Sequence, residues 1–139
     1  MKIMRLNDKT IADLVTVQTA YGLYSLRLTA YKMFQTIVHY SMHILVVGLI
    51  AYFYDRKNWK KYWLILIATM LVDADHLFAD PIFKAGRCSI GFHPLHSYYA
   101  VAVYFIGAIF VKQKILRLIF IGLLFHMFTD YLDCLWSNL

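Results

Sequence analysis

Histidine and aspartate residues recur at helical spacing along this sequence, and their side chains are common protein ligands of divalent cations. Residues three, four or seven positions apart share one face of an α-helix. Three sets have this spacing: His39 with His43, Asp73 with His76, and His126 with Asp130 and Asp133. The pattern therefore predicts helix faces that each offer more than one metal ligand.

Four apolar segments must position these side chains, and they cover roughly residues 33–54, 59–79, 96–111 and 115–136. Hydrophobic residues make up 61% of the chain, whereas a soluble domain has about 45–50% apolar residues. About 20 apolar residues suffice for a helix to cross a bilayer, and a backbone in lipid must satisfy its own hydrogen bonds. We therefore expect an all-α integral membrane protein.

The connections between these segments are short and predict an up-down four-helix bundle, because they force neighbouring helices to run antiparallel. The starts of the first and third segments and the ends of the second and fourth then lie at one membrane face. The candidate site residues all lie at those ends: His39, His43, Asp73, Asp75, His76, His93, His96, His126, Asp130 and Asp133. The topology thus predicts one polar cluster at one face.

A bound cation would explain why so many ionisable groups occur in an apolar chain. Each charged group costs roughly 2.5–3.5 kcal/mol at the bilayer centre, and a cation turns mutually repelling carboxylates into ligands. A lone histidine on an apolar helix is usually a satisfied core residue, but here all six histidines and half of the eight aspartates converge. Their number favours two or more divalent ions, zinc above all, or one ion with a rich supporting shell. A proton or ion pathway built from the same residue types is the alternative.

Three motifs resemble the YdjM-like family of small membrane-bound metal-dependent hydrolases. They are Asp73-Ala-Asp75-His76, Phe92-His93-Pro94-Leu95-His96-Ser97 and His126-Met-Phe-Thr-Asp130-Tyr-Leu-Asp133, and the resemblance covers about residues 34–136. It implies a membrane-embedded hydrolase. The His-x-x-x-Asp helix is also similar to helices of zinc phospholipases C and P1-type nucleases, which implies phosphoester chemistry by analogy.

These expectations give each candidate a role. The first set of ligands is His39, Asp73, His76, His96, His126 and Asp130, and a second metal would use His43, His93 and Asp133. Asp75 does not share the helix face of Asp73, so it is either a supporting group or the general base. Asp133 is also a candidate for a catalytic role. Arg87 either holds a substrate phosphate or contacts the surface or a lipid headgroup.

The function that these residues favour is hydrolysis of a phosphoester in a lipid or another membrane-associated substrate by a metal-activated water. A transporter of ions, protons or metal would need polar groups through the whole membrane thickness, and the opposite halves of the helices are mainly apolar. A non-catalytic scaffold stapled by metal is the third alternative. The sequence predicts no nucleic-acid binding, because no binding motif accompanies the net charge of +6.

Residues 1–32 are expected to form a separate N-terminal segment, with the four-helix metal-binding domain in residues 33–139. The segment is polar at its start, and its later apolar residues would line one side of an interfacial helix. A flexible leader is one alternative. The other alternative is that translation of the protein starts at Met33.

Basic residues near the helix ends predict the orientation in a bacterial inner membrane. The face opposite the cluster has Arg56, Lys57, Lys60, Lys61, Lys112, Lys114 and Arg117, and the cluster face has Arg27, Lys32, Lys84 and Arg87. Lys and Arg concentrate on the cytoplasmic side, so we expect the cluster to face the periplasm. Cys88 and Cys134 lie on that side and would form a disulfide in an oxidising space. Two free thiols near the metal, one of them a ligand, are the alternative.

Overall fold

A computed structural model describes residues 8–82 and 87–137, and this part of the chain is helical and contains no strand. The α-helices are α1 (Asp8–Ser41), α2 (Val47–Tyr54), α3 (Trp59–Ala68), α4 (Tyr98–Phe110) and α5 (Lys114–Ser137). A π-helical turn (Met42–Val46) links α1 to α2, and two 3-10 helices cover Thr69–Phe78 and Pro94–His96. The expectation of an all-α fold is confirmed.

The chain divides into two compact units, Met1–Thr36 and Ile37–Leu139. Within the described part of the first unit the backbone is helical from Asp8 onward, and Val15, Tyr21 and Tyr24 are exposed. Residues 1–7 of the predicted N-terminal segment lie outside the described residues. Every candidate site residue belongs to the second unit.

Two helical stretches are long and apolar enough to cross a membrane, by length and composition: Val15–Tyr54 and Lys114–Trp136. A shorter apolar helix covers Tyr98–Phe110. The predicted segment 59–79 is divided between α3 and the 3-10 helix Thr69–Phe78, so it is not the single α-helix that the apolar pattern predicted.

The change of helix type at Thr69 affects the site directly. The Thr69 hydroxyl donates to the carbonyl of Leu66, three residues earlier, at 2.6 Å. A 3-10 helix has three residues per turn, so side chains at i and i+3 are eclipsed. Asp73 and His76 are therefore on one face in this helix type as well.

The core of the second unit joins α2, α3 and α5. Its buried residues are Val47, Ala51, Tyr62, Leu66 and Leu118. A second buried cluster consists of Val72, Tyr104 and Met127 and joins the 3-10 helix Thr69–Phe78 to α4 and α5. Both clusters lie beside α5, which therefore serves as the common support for the segments that carry the candidate ligands.

At the α2–α3 and α4–α5 connections, polar contacts hold two turns together. Lys114 Nζ lies 2.6 Å from Asp55 Oδ2, and the Tyr54 hydroxyl donates to the Lys114 carbonyl at 2.9 Å. The hydrogen bond from Lys114 lowers the pKa of Asp55 to about 2, so this pair stays ionised at neutral pH. The two turns thus lie at the same end of the unit, as antiparallel helices require.

A disulfide joins Cys88 to Cys134, with the two Cα atoms 5.0 Å apart. It links the connection that precedes the Pro94–His96 turn to the C-terminal part of α5. The structure therefore has the predicted disulfide and not the alternative pair of free thiols.

Substitution of Gly122 tests the close approach of α3 and α5. An added Cβ would lie 2.8 Å from Leu66 Cδ2 and 2.8 Å from Thr69 Cγ2, two side chains that are buried. We expect Gly122→Ala to destabilise the protein by about 1–3 kcal/mol, because overpacking forces neighbouring atoms to move. Thermal unfolding in detergent micelles measures the effect.

The matched control is Gly22→Ala, where an added Cβ meets nothing within 4 Å. This second variant should be at least as stable as the parent, because alanine favours a helix over glycine. Equal unfolding temperatures for Gly122→Ala and the parent would contradict the close packing.

Candidate metal centre

The structure brings the predicted ligands together from four segments of the second unit. The end of α1 and the π-helical turn supply His39 and His43, the 3-10 helix Thr69–Phe78 supplies Asp73, Asp75 and His76, the Pro94–His96 turn supplies His96, and α5 supplies His126, Asp130 and Asp133. These segments are far apart in sequence, so tertiary packing creates the cluster.

The centre of the cluster consists of Asp73, His96, His126 and Asp130. One ligand atom from each of these four residues lies within 4.8 Å of the others. His96 Nε2 is 3.3 Å from Asp73 Oδ1 and 3.2 Å from Asp130 Oδ2, and His126 Nε2 is 3.0 Å and 3.7 Å from the same two oxygens. Two imidazole nitrogens thus face two carboxylate oxygens, a donor set that suits zinc and other divalent cations.

His96 is fully buried, and its Nε2 makes no hydrogen bond of acceptable geometry with the described residues, although two carboxylate oxygens lie close. Buried polar atoms are normally paired, and an exception calls for an explanation. A cation next to these two oxygens would give His96 Nε2 the partner that it lacks. This orphaned nitrogen fits the donor chemistry of a metal site.

Asp75 holds His96 from the other side of the ring. Its Oδ2 lies 3.2 Å from His96 Nδ1 and accepts a hydrogen bond of 2.8 Å from the backbone N–H of Leu95. When Nδ1 carries the proton and donates to Asp75, the lone pair of His96 is on Nε2, which faces Asp73 and Asp130. Carboxylates commonly orient metal-binding histidines in this way. The geometry matches the supporting role considered for Asp75, and its role as a general base stays a prediction.

The turn that carries His96 has its own supports. Gly91 adopts a φ of 81°, which favours glycine, and its N–H donates to the His96 carbonyl at 2.9 Å. The Tyr104 hydroxyl donates to the Leu95 carbonyl at 3.0 Å, and the Ser97 side chain accepts from the Ala100 N–H at the start of α4. Sequence reasoning missed Tyr104, because α4 also contains Tyr98 and Tyr99 and nothing in the sequence distinguishes the three hydroxyls.

A second group of donors lies beside the first. His39, His43 and Asp130 each offer a ligand atom within 4.8 Å of the others, and His39 Nδ1 is 2.6 Å from Asp133 Oδ2. The rings of His43 and His126 lie 4.6 Å apart, measured between centroids. The candidates from α1, the π-helical turn and α5 thus meet as the spacing predicts.

The remaining two histidines lie at the edge of the cluster. His76 Nε2 is 3.7 Å from Asp73 Oδ1 and 3.9 Å from Asp75 Oδ1, and its ring stacks on that of His93 with centroids 3.9 Å apart. His76 forms a possible donor group with Asp75 and His96, whereas His93 belongs to none of the donor groups among the described residues. Burial lowers the pKa of His93 from its usual value. The structure therefore gives His93 a packing contact, and its predicted role as a ligand is untested.

An open cavity of about 360 Å³ adjoins the cluster. Its lining includes His39, Asp73, His76, Arg87, Asp130 and Asp133. The Arg87 guanidinium donates to the carbonyls of Pro81 and Ile82, both at 3.0 Å, and lies over the ring of Phe92. Because a guanidinium has five N–H donors, these bonds position Arg87 at the cavity without using all of its capacity.

Comparison with known proteins places these residues in a family. The model of DUF6122, a family of unknown function, matches residues 33–137. The chain belongs to this family. The DUF6122 range includes every donor residue from His39 to Asp133, whereas neither curated proteins nor solved structures give a match. A relationship between DUF6122 and the YdjM-like hydrolases stays a prediction.

Substitution of Asp75 tests its support of His96. Asp75→Asn keeps the shape but loses the charge that holds the imidazole, so we expect Zn²⁺ affinity to fall about 10–100-fold. Competition with a chelating dye measures the affinity. The control is Asp80→Asn, which removes an exposed carboxylate outside the donor groups of the described residues. Equal Zn²⁺ affinity in Asp75→Asn and the parent would contradict the positioning role.

Proposed function

We propose that this chain is a membrane-embedded, metal-dependent hydrolase of a phosphoester carried by a lipid or another membrane-associated molecule. The observation that carries the proposal is a buried His/Asp cluster that opens into a cavity lined by an arginine. A catalytic metal needs room for water or substrate beside its protein ligands, and the adjoining cavity provides that room.

The proposal includes insertion as an up-down four-helix bundle. The apolar stretches Val15–Tyr54 and Lys114–Trp136 support it, as does the shared position of the α2–α3 and α4–α5 turns. The basic residues around those turns favour the cytoplasm for that end. The cluster then opens towards the periplasm at headgroup depth, where a lipid phosphate has direct access.

Each residue of the site has a defined task in this function. Asp73, His96, His126 and Asp130 would hold a divalent cation, with zinc the best match to two imidazoles and two carboxylates. When bound, such a cation would supply a water of lowered pKa and would polarise the scissile phosphoester. Asp75 fixes the orientation of His96, and Arg87 binds phosphate oxygens at the cavity.

The alternatives have less support from the described residues. A transporter needs polar groups along a path through the membrane, yet α2, α3 and α5 pack beyond the cluster through Val47, Ala51, Leu66 and Leu118. A scaffold stapled by metal has no need of a 360 Å³ cavity beside its ligands. Turnover that depends on metal separates the hydrolase from both alternatives.

Substitution of Asp130 tests the hydrolase. We expect the parent to cleave a chromogenic aryl phosphodiester or phospholipid in mixed micelles, and a chelator to stop the reaction. Asp130→Ala should abolish turnover and reduce bound metal, because Asp130 faces both His96 and His126. Initial rates and elemental analysis of the same preparations measure both effects. Normal turnover in Asp130→Ala would exclude this mechanism.

Substitution of Arg87 tests phosphate binding separately. Arg87→Gln should lower kcat/KM by about 10–100-fold with metal content unchanged, because a hydrogen bond to a charged group contributes roughly 1.5–3 kcal/mol. The control is Arg56→Gln. Arg56 lies over the ring of Tyr52 next to the α2–α3 turn and is not among the residues that line the cavity. Equal kcat/KM in Arg87→Gln and the parent would exclude Arg87 as a residue that binds the substrate phosphate.

Cysteine labelling tests the orientation. The native cysteines are joined, so an introduced thiol can be followed by itself. We expect a membrane-impermeant maleimide to label Asp80→Cys on intact cells, and Lys57→Cys only after the membrane is opened. The opposite labelling pattern would place the cluster in the cytoplasm.

A further inference from the structure

We propose that the centre binds two divalent cations and that Asp130 is the carboxylate shared between them. The first position is the group Asp73, His96, His126 and Asp130 described above. The second consists of His39, His43 and Asp130, with Asp133 against His39. This inference rests on the metal-binding part of the proposed function and does not require hydrolysis.

His43 provides the first argument for the second position. It is 2% exposed, and its Nε2 has no hydrogen-bond partner among the residues described. An unpaired buried polar atom destabilises a protein, and His43 lies on a π-helical turn, a feature that is frequent at functional sites. A cation next to His39 and Asp130 would give the His43 nitrogen its missing partner.

Asp130 provides the second argument, because it belongs to both donor groups. Its side chain is largely buried, and its Oδ2 lies 3.2 Å from His96 Nε2, on the side of the first position. A carboxylate has two oxygens and can bind a different cation with each one. Paired catalytic metals lie about 3.5–4 Å apart, which suits positions that share one carboxylate.

The charges provide the third argument. Asp73 and Asp130 face the first position, and Asp130 and Asp133 lie beside the second, all within the part of the chain that the structure describes. One divalent cation at the first position would leave the buried Nε2 atom of His43 without a partner among the described residues. Two cations give every imidazole and carboxylate of both groups a partner of suitable charge.

The stoichiometry of Zn²⁺ tests the proposal. The parent, purified in detergent and loaded with Zn²⁺, should retain about two ions per chain after desalting, and His43→Asn should retain about one. The matched control is His93→Asn, a histidine with nearly the same burial, 3% exposed, that lies outside both groups. It should retain about two ions. One ion in the parent, or two in His43→Asn, would overturn the second position.

A spectroscopic measurement on the parent avoids any loss of folding in a variant. With Mn²⁺ in place of Zn²⁺, a shared carboxylate should produce an exchange-coupled pair in electron paramagnetic resonance. Two uncoupled ions would exclude Asp130 as the carboxylate that the two cations share. Two coupled ions without turnover would exclude the hydrolase and leave the two-metal centre intact, whereas the absence of bound metal would overturn both.

Discussion

Ionisable imidazoles and carboxylates from four segments lie together in an apolar protein, and most of them are buried, whereas Asp73 is partly exposed. His96 and His126 are almost completely buried, and their Nε2 atoms face the oxygens of Asp73 and Asp130. Burial of unpaired charge is costly, and neighbouring carboxylates repel each other. A divalent cation would resolve both problems, because it would neutralise the oxygens and accept the lone pairs of the nitrogens.

The rest of the second unit is arranged so that this cluster can form. Close approach at Gly122 lets α3 and its 3-10 continuation lie against α5, which aligns Asp73 with His126. The turn at Gly91 and the hydroxyl of Tyr104 hold the backbone around His96. The disulfide and the Asp55–Lys114 pair then fix connections that lie far apart along the chain. A bound metal would therefore stabilise the same contacts as the packing does.

Much of the site could be predicted from the sequence, because helical spacing and chain reversal are simple geometric rules. Spacing placed His126 and Asp130 on one face, and alternating direction brought Asp73 and His96 to them. The helix types could not be predicted in this way. Thr69 begins a 3-10 helix and His43 lies on a π-helical turn, and both result from tertiary packing that apolar patterns do not encode. The different surroundings of His93 and His96, three residues apart, depend on the fold of one short turn.

X-ray absorption at the metal edge of the purified protein shows whether the His/Asp cluster holds a cation. We expect a tightly bound divalent metal surrounded by nitrogen and oxygen at about 2.0–2.2 Å, with the scattering pattern of imidazole and no sulfur ligand, because both cysteines are joined in the disulfide. A preparation that contains no such metal and binds none when it is supplied would exclude a metal centre at the cluster, and a metal held by sulfur would exclude these ligands.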